Sequence, residues 1–242
     1  EGPKENEGGY QVIEPDDRQP QWRKRTFLAK YDLATGVMQQ LTFGYRNVWA
    51  SDISADGGRI LVMMSGSRLV GRPTTLYSLY LMDVATLEMI PLVENDGFIK
   101  SAKFLSEGTE IVICGSPEAL GGIGKNVKDG QIPSMYDFQL YIMNLADRGI
   151  VPVTREFNPS VGSYECSYFD GYVYFNAEDK DCKNLFRLSP KSGKIEQIPV
   201  PEDLVNSFTL SRSAPVIVWY GQGASNSDRS YMVDLRRGKT RL

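Results

Sequence analysis

Trp49-Ala50-Ser51-Asp52-Ile53-Ser54-Ala55-Asp56-Gly57-Gly58-Arg59-Ile60-Leu61-Val62-Met63 holds two runs of strand-forming residues on either side of an Asp-Gly-Gly turn. Glycine supplies the positive φ that a tight hairpin needs, and aspartate bonds back to its own turn. A third run follows, Leu79-Tyr80-Leu81-Met82, closing on Asp83-Val84. After a short polar turn comes a fourth run, Met89 to Val93. Four short strands in succession, A to D, joined by turns, form an up-and-down antiparallel sheet.

The unit recurs. Its C-strand phrase returns as Leu28-Ala29-Lys30-Tyr31-Asp32-Leu33, Leu140-Tyr141-Ile142-Met143-Asn144-Leu145, Leu185-Phe186-Arg187-Leu188-Ser189-Pro190 and Ser230-Tyr231-Met232-Val233-Asp234-Leu235. The anchors stand at 32, 83, 144, 189 and 234, so the steps are 51, 61, 45 and 45 residues. A–B hairpins precede copies two to five, turning at Asp56-Gly57, Glu107-Gly108, Asp170-Gly171 and near Ser213-Ala214. A four-stranded repeat of roughly 45 residues indicates an all-β chain, a β-propeller of antiparallel blades. No helical stretch of the length a parallel β/α fold requires separates the strands. A β-sandwich does not predict the repeated phrase. The expected blades span 10–43 (partial), 48–93, 98–154, 163–200 and 205–242, with Tyr10 to Glu14 as strand B of the first. About five blades are expected, an incomplete arc of a seven- or eight-bladed propeller and a fragment of a longer protein.

The chain has 242 residues, 41% hydrophobic and 24% charged, which suffices for a large core. A net charge of −3 argues against nucleic-acid or polybasic membrane partners. No apolar run approaches the ~18 residues of a membrane helix. The first residues do not follow the pattern of a secretory leader. The chain contains no histidine, so a Ser-His-Asp triad, a Cys-His dyad or a His-ligated zinc cannot be completed within it. Cys114, Cys166 and Cys182 form no C-x-x-C pair, and three free thiols are expected. A Cys166–Cys182 bridge is disfavoured because the two fall on strands two apart.

Two B–C connections are long: Ser65 to Ser78 in blade two and Gly115 to Phe138 in blade three. B–C loops and D–A connections share one face of a propeller, where repeat folds place binding surface. Arg68, Arg72, Lys125 and Tyr136 are therefore the candidate contacts to a substrate or partner, against the plainer reading of solvated loop decoration. An arginine there would grip a peptide carbonyl or carboxylate. Other motifs fail on inspection. Gly121-Gly122-Ile123-Gly124-Lys125-Asn126 has Ala119 at the first glycine position of a phosphate loop and Asn126 at its Ser/Thr position. Glu178-Asp179-Lys180-Asp181 is interrupted by lysine for a calcium loop, and Arg23-Lys24-Arg25 sits near Glu14, Asp16 and Asp17. No G-x-S-x-G nucleophile elbow occurs. Catalytic residues, metal and cofactor are accordingly not expected.

The phrase from Trp49 to Ile60 resembles the W-S-P-D-G-K-x-I/L phrase of TolB-like propeller repeats. Those repeats also build the propeller of the prolyl oligopeptidase family of serine peptidases, which includes dipeptidyl peptidase IV-like and acylaminoacyl peptidase-like enzymes. Tyr10 to Asp17, Gly124 to Tyr136 and Asp170 to Lys180 are similar to segments of that family. Ile53 and Ala55 depart from the usual S-P-D. The resemblance implies a non-catalytic cap on an α/β-hydrolase domain of the same parent chain, limiting access and positioning short peptides. None of the triad and no paired glutamates for a peptide amino terminus carry over. Family habit points to the periplasm or another exported location, with the cytoplasm as alternative. The competing readings are a TolB-like scaffold for protein–protein interaction and a propeller enzyme such as a polysaccharide lyase.

Overall fold

The computed structural model describes residues 25–68, 70–211 and 214–241. The expected strand at Tyr10–Glu14, and Arg23 and Lys24, lie outside them. Among the described residues the chain is a series of antiparallel sheets. The first holds β1 (Ala29–Tyr31) and β2 (Met38–Gln40). The second is β3 (Asn47–Ile53), β4 (Arg59–Ser67), β5 (Thr75–Asp83) and β6 (Met89–Asp96), and the third β7 (Ile99–Phe104), β8 (Glu110–Gly115), β9 (Gln139–Asn144) and β10 (Ile150–Pro152). The fourth is β11 (Ser160–Cys166), β12 (Val173–Asp179), β13 (Cys182–Leu188) and β14 (Ile195–Ile198). The last is β15 (Leu204–Leu210), β16 (Val216–Gly223), β17 (Asn226–Asp234) and β18 (Lys239–Arg241). One parallel pair, Lys183 with Leu204, joins the last two sheets. It forms because β14 covers only Leu185–Leu188 of β13, leaving the Lys183 N–H to donate to Asp203 O at 2.9 Å.

The repeated anchor residue builds the same turn each time. Asp32 Oδ1 accepts the amides of Ala34 and Thr35 at 3.0 and 2.8 Å, and Asp83 Oδ1 those of Ala85 and Thr86 at 2.9 and 2.8 Å. Asn144 accepts Ala146 N at 2.8 Å, and Asp234 accepts Arg236 N at 2.9 Å. Four residues after each anchor the chain enters the left-handed region, at Gly36, Leu87, Arg148, Gly193 and Gly238. Three of the five are the glycines that this conformation favours.

Each hydrophobic core lies between one sheet and the next. Ile111 and Ile113 of β8 pack towards the second sheet with Leu61, Met63 and Leu79, while Val112 and Cys114 face the fourth with Val173 and Phe175. Sheets covered on both faces read as unbroken apolar runs such as Ile111–Cys114. The last sheet alternates instead: Ile217 and Trp219 are buried against the fourth, while Val218, Tyr220 and Met232 are exposed. The first strands β3, β7, β11 and β15 adjoin one another in order. Each pairs with its neighbour through a β-bulge, near Ser51, Lys100, Gly162 and Asn206. This serial stacking of four-stranded sheets is the propeller arrangement, and two sheets closed on one shared core do not occur among the described residues.

The first strands also carry polar cross-links. Ser51 Oγ donates to Ala102 O at 2.8 Å and accepts Ala102 N at 2.9 Å, and Phe104 N donates to Asp52 Oδ2 at 2.9 Å. Lys103 pairs with Glu165 at 2.7 Å. Asn176 Nδ2 donates to Val205 O at 3.0 Å, tying the fourth sheet to the fifth.

Candidate functional site

Register places the starts of the A strands beside the B–C loops. Asn47 pairs with Ser65, Ser67 with Thr75, and Tyr77 with Asp96, so all four strand ends of the second sheet meet on one face. In the third sheet Ile99 pairs with Gly115, and Gly115 with Gln139. A cavity of about 430 Å³ opens where these two sets of ends converge. The second sheet contributes Trp49, Ser65 and Tyr77, with the Trp49 and Tyr77 rings edge to face at 6.2 Å. The connection into the third sheet contributes Gly97, Phe98, Ile99 and Lys100. The far wall is Ser116 and the end of the long loop, Met135, Tyr136 and Phe138.

Lys100 owes its place to the bulge: Ile99 and Ser101 oppose Gly115 and Cys114, leaving Lys100 as the extra residue. Bulges re-aim side chains in this way. Its Nζ lies 4.2 Å from the centroid of the Phe138 ring, a cation–π contact. Asp96, the neighbouring carboxylate, is consumed by backbone amides: Phe98 and Ile99 donate to Oδ1 at 2.7 and 3.1 Å, and Leu120 to Oδ2 at 2.7 Å. Ser116 is buried, its carbonyl accepting from Tyr141 OH at 2.8 Å, while its own Oγ has no partner among the described residues. The Phe138 segment is pinned to the next sheet through Ser160, whose Oγ accepts Phe138 N at 3.0 Å and donates to Tyr136 O at 2.9 Å. Burial pushes the Cys114 thiol up to about 12, against the opposing pull of the Lys100 charge.

The four sequence-derived candidates do not converge. Tyr136 lines this cavity and is 75% exposed. Lys125 lines a separate, shallower depression of about 730 Å³ beside β10, with Lys128, Asp129 and Arg155. Its carbonyl accepts from Arg155 Nε at 3.1 Å. Arg68 and Arg72 are exposed on the tip after β4 and line neither cavity. That tip is short because β4 and β5 stay paired out to Ser67 and Thr75, so much of the expected insertion is strand. Pro73 folds back onto Gly97, where a Cβ would lie 1.8 Å from its ring. The Gly121-Gly122 stretch is an irregular turn inside the loop, with Leu120, Gly121 and Gly122 all at positive φ, and Lys125 follows that turn instead of opening a helix. Trp49, Tyr77, Lys100 and Ser116 escaped the sequence reading. The signal for them was the repeat register itself, which sets each A-strand start beside a B–C loop.

All three cysteines are free, Cys114 and Cys166 buried. Among the described residues no group of three or more His, Cys, Asp or Glu side chains is placed to hold a metal ion, and no helix is long and apolar enough to cross a membrane.

Solved structures match this architecture. TolB from Acinetobacter baumannii superposes with a TM-score of 0.62 at 15% identity, covering 88% of this chain and 47% of TolB. The fold is a β-propeller. Two further matches are an oligogalacturonate lyase in complex with manganese (TM-score 0.64, 12% identity, 89% of this chain and 58% of the lyase) and a prolyl endopeptidase (0.67, 11%, 96% and 32%). The chain thus spans between about a third and three fifths of the length of these proteins. At such identities the likeness establishes fold, and a lyase and an endopeptidase on one fold leave function to the site. No protein-family model and no curated protein matches the chain.

Proposed function

We propose that this chain is the propeller portion of a serine peptidase of the prolyl oligopeptidase type. In this reading it contributes no nucleophile. It narrows the approach to an α/β-hydrolase domain of the same parent chain and positions short peptides for it, in an exported, periplasmic protein. The observation that carries the reading is the coincidence of the Trp49–Ile60 repeat phrase with the cavity at the same blade. Trp49 opens the phrase and also walls an aromatic cavity on the face bearing the longest loop. The prolyl endopeptidase match supports the architecture. Tyr136 at the cavity, with Arg68, Arg72 and Lys125 around the same face, are the proposed rim contacts.

The test is length selectivity in the parent enzyme. Shortening the loop between Ser116 and Phe138 raises kcat/KM for long peptides and leaves a dipeptide reporter unchanged. Identical length preference before and after shortening overturns the proposed filter.

A second reading, a scaffold that binds another protein, is favoured by the apolar residues displayed on that face. Val70 is 82% exposed, Ile132 85% and Tyr136 75%. A stable partner recovered with a parent protein that encodes no hydrolase domain selects this reading over the first.

A further inference from the structure

We infer that the cavity between the second and third sheets binds the free carboxyl end of a short peptide whose last side chain is aromatic. The inference names the ligand of the site described above and takes from the proposed function only that the ligand is a short peptide.

Three independent features select this chemistry. The first is charge. Among the described residues Lys100 is the one charged residue lining the cavity, in a chain with more acidic than basic residues. The nearest carboxylate on its connection, Asp96, already accepts three backbone amides. Lys100 Nζ rests over the Phe138 ring, and neither Asp96, held by those amides, nor Asp137, between Tyr136 and Phe138, lines the cavity, so an entering anion meets one positive charge on its walls. The second is an unanswered donor. Ser116 is a lining residue whose buried Oγ has no partner among the described residues, and buried hydroxyls are ordinarily bonded. A carboxylate has two oxygens with room for both an ammonium and a hydroxyl donor. The third is the walls. Trp49, Tyr77, Phe98 and Phe138 offer ring faces and edges suited to an aromatic side chain. The volume of about 430 Å³ fits a terminal residue and part of the one before it.

A phosphate ester would satisfy Lys100 and leave the four rings without work. A neutral amide would satisfy the rings and leave Lys100 unanswered. The aromatic carboxylate uses both.

The test is calorimetric titration of the purified 242-residue chain with N-acetyl-Ala-Phe as free acid and as carboxamide. The acid binds saturably and the amide at least about tenfold more weakly, as expected for one charge-assisted contact. Lys100→Gln erases the difference between acid and amide, and Lys100→Arg preserves it. Ser116→Ala weakens the acid severalfold while its melting curve stays that of the parent chain. Equal binding of acid and amide overturns the inference. So does a preference that survives Lys100→Gln, or no saturable heat with the acid up to about 10 mM, a concentration that detects even millimolar affinity. Because the chain is titrated alone, a parent lacking a hydrolase domain would defeat the proposed function and leave this result standing. Loss of binding would in turn leave the length-selectivity test untouched.

Discussion

Asn176 gives the sharpest test of how successive sheets are joined. It is fully buried on β12. Its Nδ2 donates to Val205 O at 3.0 Å across the sheet boundary, and its Oδ1 accepts Ser163 N at 2.7 Å and Ser163 Oγ at 3.0 Å. Asn176→Ala removes all three bonds. The Val205 residue is fully buried, so its carbonyl has no water to turn to, and orphaning it costs about 1–3 kcal/mol. The Ser163 groups lie on an exposed residue and recover most of their bonding from water, leaving a loss of roughly 0.5 kcal/mol. The vacated amide adds on the order of 1 kcal/mol as a small cavity. The sum is about 3 kcal/mol, or roughly 6–12 °C in Tm for a domain of this size. Gly162→Ala disturbs the same junction, since its Cβ would stand 2.6 Å from Asn176 Oδ1 and press on that amide. Urea unfolding followed by tryptophan fluorescence measures both. A stability for Asn176→Ala within about 0.5 kcal/mol of the parent would refute the claim that this amide couples the two sheets.

Three further outcomes follow from the repeat. Arg148 holds φ 65°, where three of its four counterparts are glycine, so Arg148→Gly raises stability by about 0.5–1 kcal/mol in denaturant unfolding, the relief of left-handed strain exceeding the added chain entropy. Ellman's reagent at pH 8 modifies Cys182 in the native chain and all three thiols once guanidinium unfolds it, because burial both shields Cys114 and Cys166 and pushes their thiols upward. Asp83 is held below the usual carboxylate range by the Thr86 amide and hydroxyl and by the Ala85 amide. A depressed carboxyl contributes stability above its unfolded value, about 3.9, that is lost as pH falls through the folded one. Asp83→Asn, mimicking Asn144, therefore keeps the fold at pH 7 and flattens the loss of Tm below about pH 4, whereas a parallel acid decline in variant and parent would contradict it.

The fold was legible because each copy of the repeat solves the same local problem with the same chemistry. An aspartate, asparagine or serine caps a turn, and a residue four positions later takes positive φ. Those requirements act over a few residues and survive in Asp32, Asp83, Asn144, Ser189 and Asp234. The cavity depends on what the local pattern does not record. Lys100 reaches it as one bulged residue, and Ser116 Oγ is buried without a partner among the described residues. Loop length alone marks Arg68 and Arg72 as candidate contacts; the strands beneath them continue pairing, so both stand on the tip after β4 and do not line the cavity. Alternation of burial in β16 against continuous burial in β8 marks which sheet lies between two others, a distinction that composition alone blurs.

Active-site labelling tests the proposed division of labour most directly. The parent protein and the 242-residue chain are each treated with a fluorophosphonate, and the labelled serine is located by peptide mass. A non-catalytic propeller of a serine peptidase requires that the parent be labelled once, at a serine outside this chain, and that the isolated chain remain unlabelled. Stoichiometric labelling of a serine within the chain, or a parent that takes up no label, would contradict it.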